Sequence, residues 1–238
     1  MKKLLILGAL YEEVEPLIRK WGMSQNPGSP PVWTKKNETH HVQVTYTGIG
    51  EKKCVRFLSG LDDHQFDMIF VVGTSGGCYP DCKTGDFILP RLTYDKNSET
   101  PLLYEPPVDL YPQPLMTGRH YTADVFLPGR EKEALYNEQG VYTVDMEWAF
   151  ILRYCLENHI PVFYCKVIAD ELHTTPPPFR LMRYHWKDLP WKKMIWDLKR
   201  SPVIKIQQYI HALRFSGCLR KATDRSAGLA QKIIKKID

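Results

Sequence analysis

The chain has 238 residues, 43% apolar and 25% charged, with a formal net charge of +5. That is enough to bury a sizeable core in one large domain or two small ones, with the balance of an ordinary globular protein. No apolar run reaches the ~20 residues of a membrane span, so no membrane-spanning helix is expected.

The opening "MKKLLILGALYEEVEPL" has too short an apolar run for a signal peptide, lacks a small-residue cleavage site and passes directly into acids. Its "KLLILGAL" (3–10) reads as a buried strand, and "EEVEPLIRKWG" as a helix with Pro16 near its first turn, where proline is tolerated. "HVQVTYTGIG" (41–50) is a strand ending in glycines, followed by the helical "EKKCVRFLSGL". "DMIFVVGTSGG" (67–77) is a strand ending in small residues, and "GDFILPRLTY" (85–94) is another. Residues 95–116, rich in Pro and polar residues, read as a long loop. "TGRHYTADVFL" (117–127) is a strand and "REKEALYNEQG" a helix. "VYTVDM" is a strand running into the helix "EWAFILRYCLENH", and "PVFYCKVIAD" (161–170) is the last strand. This alternation predicts an α/β fold: a mixed, mainly parallel sheet flanked by helices in three layers.

After residue 170 the texture changes. From Glu171 to Asp238 there are fifteen Lys and Arg against five Asp and Glu, and residues 171–200 add three tryptophans and Pro176 to Pro178. Residues 202–215 and 218–236 read as two helices. The basic segment is first a solvated helical face; an anionic partner or membrane surface is the other reading. The chain is expected to be one domain over 1–238 with a divergent basic, aromatic segment at 171–238.

The six cysteines are dispersed, and Cys78 and Cys82 have no second pair at zinc-ligand spacing. No metal and no cofactor is expected, and reduced thiols suit a cytoplasmic protein. "GIGEKKC" has Lys53 where a dinucleotide fingerprint needs its third glycine, and "GTSGG" lacks the Lys-Ser/Thr of a phosphate-binding loop.

Ligands of open α/β sheets bind beyond the carboxyl ends of the strands. Here those ends carry Glu12-Glu13, Gly48 to Gly50, Gly73 to Gly77, Asp124 with Phe126, Glu147 and Asp170. Together they suggest a site with acids, an aromatic ring and glycine turns that admit a ligand to the backbone. "VDMEW" (144–148) puts two acids in an apolar setting, and buried carboxylates are costly unless paired. Asp145 is expected to be structural, a cap for the following helix.

The segments "ILGALYEEVEPL", "TGIGEKKC", "GTSGGCYPDCKTGD", "DVFL", "VDMEWAFILRYC" and "PVFYCKVIAD" occur in an order that resembles the purine nucleoside phosphorylase and nucleosidase superfamily. The resemblance covers residues 1–170 and comes nearest to the 5′-methylthioadenosine/S-adenosylhomocysteine nucleosidases. It implies a nucleoside phosphorylase-like fold, a homodimer, and cleavage of a purine N-glycosidic bond through an oxocarbenium-like transition state. By position it makes Asp170 the acid that protonates the leaving purine and Glu13 the carboxylate that activates water. Glu147 would grip the ribose hydroxyls, Met146 pack under the sugar, and Ser75 and Gly76 line its side. Phe126 would stack on the base and the Leu127 backbone read its edge. Read without the resemblance, Glu13 is a first-turn helix acid favoured by the dipole, and Asp170 a cap.

The chain departs from the family pattern in places. Ala169 stands where the nucleosidases usually have Ser, and Trp148 where a small residue is usual, which would thicken the wall near the sugar. The stretch from Asp86 to Asp145 is shorter than theirs. The basic tail helices are similar to those of nucleoside phosphorylase-like proteins associated with hopanoid synthesis, whose substrate is an adenosyl lipid. Val71 stands where many bacterial phosphorylases have a phosphate-binding arginine, which favours water as nucleophile. The alternatives are a phosphorylase acting on an adenosyl compound and a non-catalytic nucleoside-binding protein of the same fold. A nucleic-acid binder would use the Trp-containing basic tail, but no recognised motif appears. The segment 171–200 is expected to form a lid, with Phe179, Trp186 or Trp191 against the pocket; docking of this segment on the domain is the other reading.

Overall fold

The computed structural model describes residues 1–28, 30–62, 65–97, 100–174 and 202–237, the last segment with its side chains from Phe215 onward. In chain order the first half holds β1 (Lys2–Gly8), α1 (Tyr11–Trp21), β2 (Ser24–Asn26), β3 (Val32–Lys36), β4 (His40–Tyr46), α2 (Glu51–Leu58) and β5 (Met68–Gly77). Then come β6 (Ile88–Asp95), β7 (Leu102–Leu103), β8 (Met116–Thr122), α3 (Gly129–Gln139), β9 (Val141–Asp145), α4 (Trp148–Glu157), β10 (Val162–Asp170) and α5 (Pro202–Ile237).

The apolar runs foreseen as strands are buried on both faces, β10 along its whole length. Such strands lie inside parallel sheets that helices cover on each side. The ten strands among the described residues form one sheet, ordered β2-β3-β4-β1-β5-β9-β8-β6-β7, with β10 paired to β5 beside that path. The β1/β4, β1/β5, β5/β10, β6/β8 and β8/β9 pairs are parallel. The β2/β3, β3/β4 and β6/β7 pairs are antiparallel, as is β5 with β9 over Gly76 and Gly77 alone. The mixed, mainly parallel sheet flanked by helices is therefore as expected. α5 adds Ala227, Leu229, Ala230, Ile233 and Ile234 to the main core, beside the side chains of β1 and β5. A fully buried aliphatic side chain of this size contributes roughly 1.5–3 kcal/mol, so α5 is part of the fold rather than an appendage.

Five local expectations are corrected. Pro16 lies inside α1, in its second turn. The strand foreseen over 117–127 stops at Thr122, and residues 123–128 form a loop whose Asp124 pairs with Lys96. The two tail helices are one, running through Gly217 without a break. β2 and β3 extend the sheet where polar residues and proline gave no strand signal. Trp148 is fully buried and donates from Nε1 to the Thr93 hydroxyl at 2.9 Å, with Tyr104 and Tyr164 edge-on to its ring. It fills the core and forms no sugar-side wall.

Candidate active site

β5 runs beside β10 in a register that sets Lys166 opposite Gly73 and Asp170 opposite Gly76. Three of the expected acids gather along this stretch. Asp170 lies over Gly76: a Cβ there would stand 3.0 Å from Oδ2 and 3.2 Å from Oδ1. Its Oδ2 accepts from Lys132 Nζ at 2.6 Å, and the same ammonium donates to the Glu171 carbonyl at 2.9 Å. Lys132 is completely buried on α3. Burial raises the Asp170 carboxyl above its ordinary range, and Lys132 pulls it back.

Glu13 sits at the third position of α1. Its Oε2 accepts from the Ala9 and Leu10 amides at 2.6 and 3.2 Å, its Oε1 from the Thr74 amide and hydroxyl at 2.8 and 3.0 Å. The Leu10 contact closes back on the helix start, the dipole-side role foreseen for a first-turn acid. The Thr74 contacts are not local and bind Glu13 to β5. A carboxylate has about four lone-pair sites, so these donors saturate it. The Thr74 hydroxyl is the one of the four that can rotate away. Gly73 has φ +133°, and its amide donates to the Ser226 hydroxyl of α5 at 2.8 Å.

Glu147 is buried and held at both oxygens. Oε1 accepts from the Gly50 amide at 3.0 Å and Oε2 from Lys166 Nζ at 2.9 Å. Lys166 also donates to Asp145 Oδ2 at 2.6 Å. Asp145 Oδ1 faces His120 Nε2 at 2.9 Å and accepts from the Thr122 hydroxyl at 2.9 Å. Asp145 also takes the Trp148 amide, the capping role expected of it. Burial would raise the Asp145 carboxyl, but Lys166 and His120 outweigh it and hold it well below the usual range. Glu147 ends up raised, by burial first, with Asp145 and Glu13 adding to the shift against Lys166. Burial would lower the Lys166 ammonium, but Asp145, Glu147 and Glu13 together drive it well above its usual value. Lys166 and Asp145 are thus firmly charged, and Glu147 is the acid whose charge is hardest to keep.

The remaining candidates fall around these acids. Ser75 and Gly76 lie on β5, both buried. Met146 is half-buried in the turn between Asp145 and Glu147. Phe126 meets Phe215 of α5 edge-on, with centroids 6.5 Å apart. The Leu127 side chain packs on Cys78, Val141 and Val144. The lid residues Phe179, Trp186 and Trp191 lie outside the described residues. Lys132, Lys166, His120 and Thr74 escaped the sequence reading. Lys166 left a trace there, as one charge within the apolar "PVFYCKVIAD".

The mixed, mainly parallel sheet flanked by helices is a nucleoside phosphorylase-like fold. The chain belongs to the phosphorylase superfamily, whose family model matches residues 3–183. It is 24% identical to the 5′-methylthioadenosine/S-adenosylhomocysteine nucleosidase of Thermotoga maritima over 183 residues, 70% of this chain and 84% of that one. The fold matches the solved nucleosidase of the same name from Campylobacter jejuni with a TM-score of 0.74 at 15% identity, covering 99% of this chain and 100% of that one. It matches the futalosine hydrolase of Helicobacter pylori strain 26695 with a TM-score of 0.72 at 17% identity, over 99% and 98% of the two chains.

Proposed function

We propose that the protein is a purine nucleosidase, cleaving the N-glycosidic bond with water and releasing the free base. The observation that carries this reading is the alignment of Glu13, Glu147 and Asp170 along one stretch of β5 and β10, two of them over glycines whose Cβ atoms would collide with the carboxylates. Family membership and the Thermotoga maritima relative support it.

Asp170 gives a proton to the departing purine, so the base leaves neutral; burial raises its carboxyl above the ordinary range against Lys132, the direction that suits a proton donor. Glu147, held by Lys166 and the Gly50 amide, accepts from the ribose hydroxyls. Met146, Ser75 and Gly76 border the sugar, and Phe126 and the Leu127 backbone the base. Glu13 takes a proton from the attacking water once the Thr74 hydroxyl turns aside and frees a lone pair. Val71 favours water over phosphate: it is a core side chain, 1% exposed, and offers no charge to an anion.

On this reading the chain is one nucleoside phosphorylase-like domain, cytoplasmic, and a homodimer. Leu10, Val55 and Val125 are exposed apolar side chains, the kind of surface that a second copy covers. No helix among the described residues is long and apolar enough to cross a membrane.

The test is incubation with methylthioadenosine, adenosylhomocysteine, adenosine and inosine, with and without phosphate, followed by detection of free base. Release without phosphate is the expected result. Release only with phosphate, alongside ribose 1-phosphate, makes the protein a phosphorylase. Tight nucleoside binding without any release makes it a binding protein.

A further inference from the structure

Among the described residues, Lys132 is the one whose side chain hydrogen-bonds the leaving-group acid from another element. It stands one turn into α3, a helix of mostly polar residues, yet its side chain has no exposed surface. Burying an ammonium is costly unless it is paired and hydrogen-bonded, and here both conditions are met within two residues of chain, by Asp170 Oδ2 and the Glu171 carbonyl. The backbone is shaped for the contact. Gly129, at the start of α3, approaches the chain just past Asp170 so closely that a Cβ would stand 2.6 Å from the Leu172 carbonyl oxygen. Gly76 on the other side clears the space under the carboxylate. Ala169, next to Asp170, has no side-chain donor to hold it. Oδ2 is taken by Lys132; the backbone amide of Asp170 also favours the carboxylate, and no side chain of another described residue is hydrogen-bonded to Oδ1.

We propose that Lys132 is a positioning residue for the leaving-group acid: it fixes the Asp170 carboxyl over Gly76 by Oδ2 and leaves Oδ1 to meet the departing purine. The proposal rests on the nucleosidase reading. The proton still comes from Asp170 and ends on the base. A salt bridge stapling α3 to the end of β10 would have the same geometry but would not govern proton transfer.

The other groups around the pair do not compete for this role. Burial pushes the Cys78 thiol up to about 12 and the Cys82 thiol to about 11, so both stay neutral. Glu171 is turned away, taking the Thr84 amide on Oε1, with Lys83 3.9 Å from Oε2. From α5, Ala222 and Leu219 pack with Val167 and Ala169 of β10.

The test joins carboxyl NMR with kinetics on the full chain. In protein labelled with ¹³C-aspartate, the Asp170 resonance is the one missing from Asp170→Asn. In Lys132→Met its titration is expected to move to higher pH than in the wild type. In the same variant kcat should fall on the order of a hundredfold, the effect of a small misplacement of a reacting group, with KM changed less than about threefold. The alkaline limb of kcat should move up with the NMR titration. Lys132→Arg, which keeps the cation, should recover most of the rate. If Lys132→Met does not fold, Lys132→Gln, which keeps a donor without the charge, is measured instead with the same expectations. An unchanged kcat, or a fall in kcat and Tm with both titrations unmoved, overturns the proposal and leaves Lys132 a structural staple. If the wild type releases no base from any nucleoside, the nucleosidase reading itself fails and the positioning role with it, whatever the NMR shows.

Discussion

A Cβ on Gly73 would lie 2.5 Å from the Glu13 carboxyl carbon, so this glycine and this acid occupy one space. Gly73 also has φ +133°, a conformation that L side chains rarely adopt. Gly73→Ala should therefore both strain β5 and push Glu13 off Thr74. The expected result is a loss of base release of roughly a hundredfold. Gly140→Ala separates the two effects. Gly140 has φ +65° with nothing within 4 Å of its missing Cβ, so that variant should lose about 1–2 kcal/mol and keep its activity. Urea unfolding and base release on both variants are the measurements.

In the proposed mechanism Asp170→Asn removes the proton that the leaving base requires. The side chain keeps an oxygen for Lys132, so the fold should hold. We expect kcat to fall by about 10²–10⁴, with a circular dichroism spectrum like that of the wild type. Near-normal turnover would remove Asp170 from the acid role.

Lys166→Met takes away the cation shared by two buried acids. Removing one partner of a buried pair typically costs about 3–5 kcal/mol, because the other charge stays behind. The single variant should be strongly destabilised. Adding Asp145→Asn should restore part of the loss, since the stranded charge is then gone. Denaturant melts of the single and double variants test this; a double variant less stable than the single would show that Lys166 does not serve to neutralise Asp145.

The Asp145 carboxyl is held below its ordinary range in the folded protein, chiefly by Lys166 and then His120 against the cost of burial. A depressed acid contributes stability that is fully present above its unfolded value, about 3.9, and is lost as pH falls towards its folded value. The stability gap between wild type and Asp145→Asn should be widest at neutral pH and narrow below about pH 4. Melts at a series of pH values measure it; a gap that stays constant into acid would mean that hydrogen bonds, not charge, set the effect.

How much of this was legible in the sequence depended on the kind of signal. Continuous apolar runs such as "KLLIL" and "FVVG" announce buried strands because both faces are covered, and their order gives the sheet. Gly73 and Gly76 stood out because small residues at a strand end have few other uses. Lys166 could have been found: a charge inside an all-apolar strand must have a partner, and "VDME" offered two acids. Lys132 could not. It lies between Glu131 and Glu133 in a polar helix, the pattern of a solvated face, and only the approach of Gly129 to Leu172 turns it inward. Trp148 misled because position in a motif was taken as position in space; the helix start rotates it towards Thr93 and Tyr104. β2 and β3 were missed because edge strands of polar residues gain their order from pairing with β4, which no local pattern shows.

The Ser226 hydroxyl that takes the Gly73 amide belongs to residues far along the chain, as does Arg225, which donates to the Gly85 carbonyl at 2.8 Å. A ribosome that has made residues 1–170 has already made Glu13, Glu147 and Asp170. It has not yet made the Ser226 hydroxyl that holds the β5 backbone at Gly73, or the aliphatic side chains of α5 that share a core with β1 and β5. Contacts so distant in sequence form late and slow folding. Until then, apolar sheet surface stays open to other chains. The backbone around the site is therefore expected to gain its full set of contacts only after α5 has been made, well after its acids are in the chain.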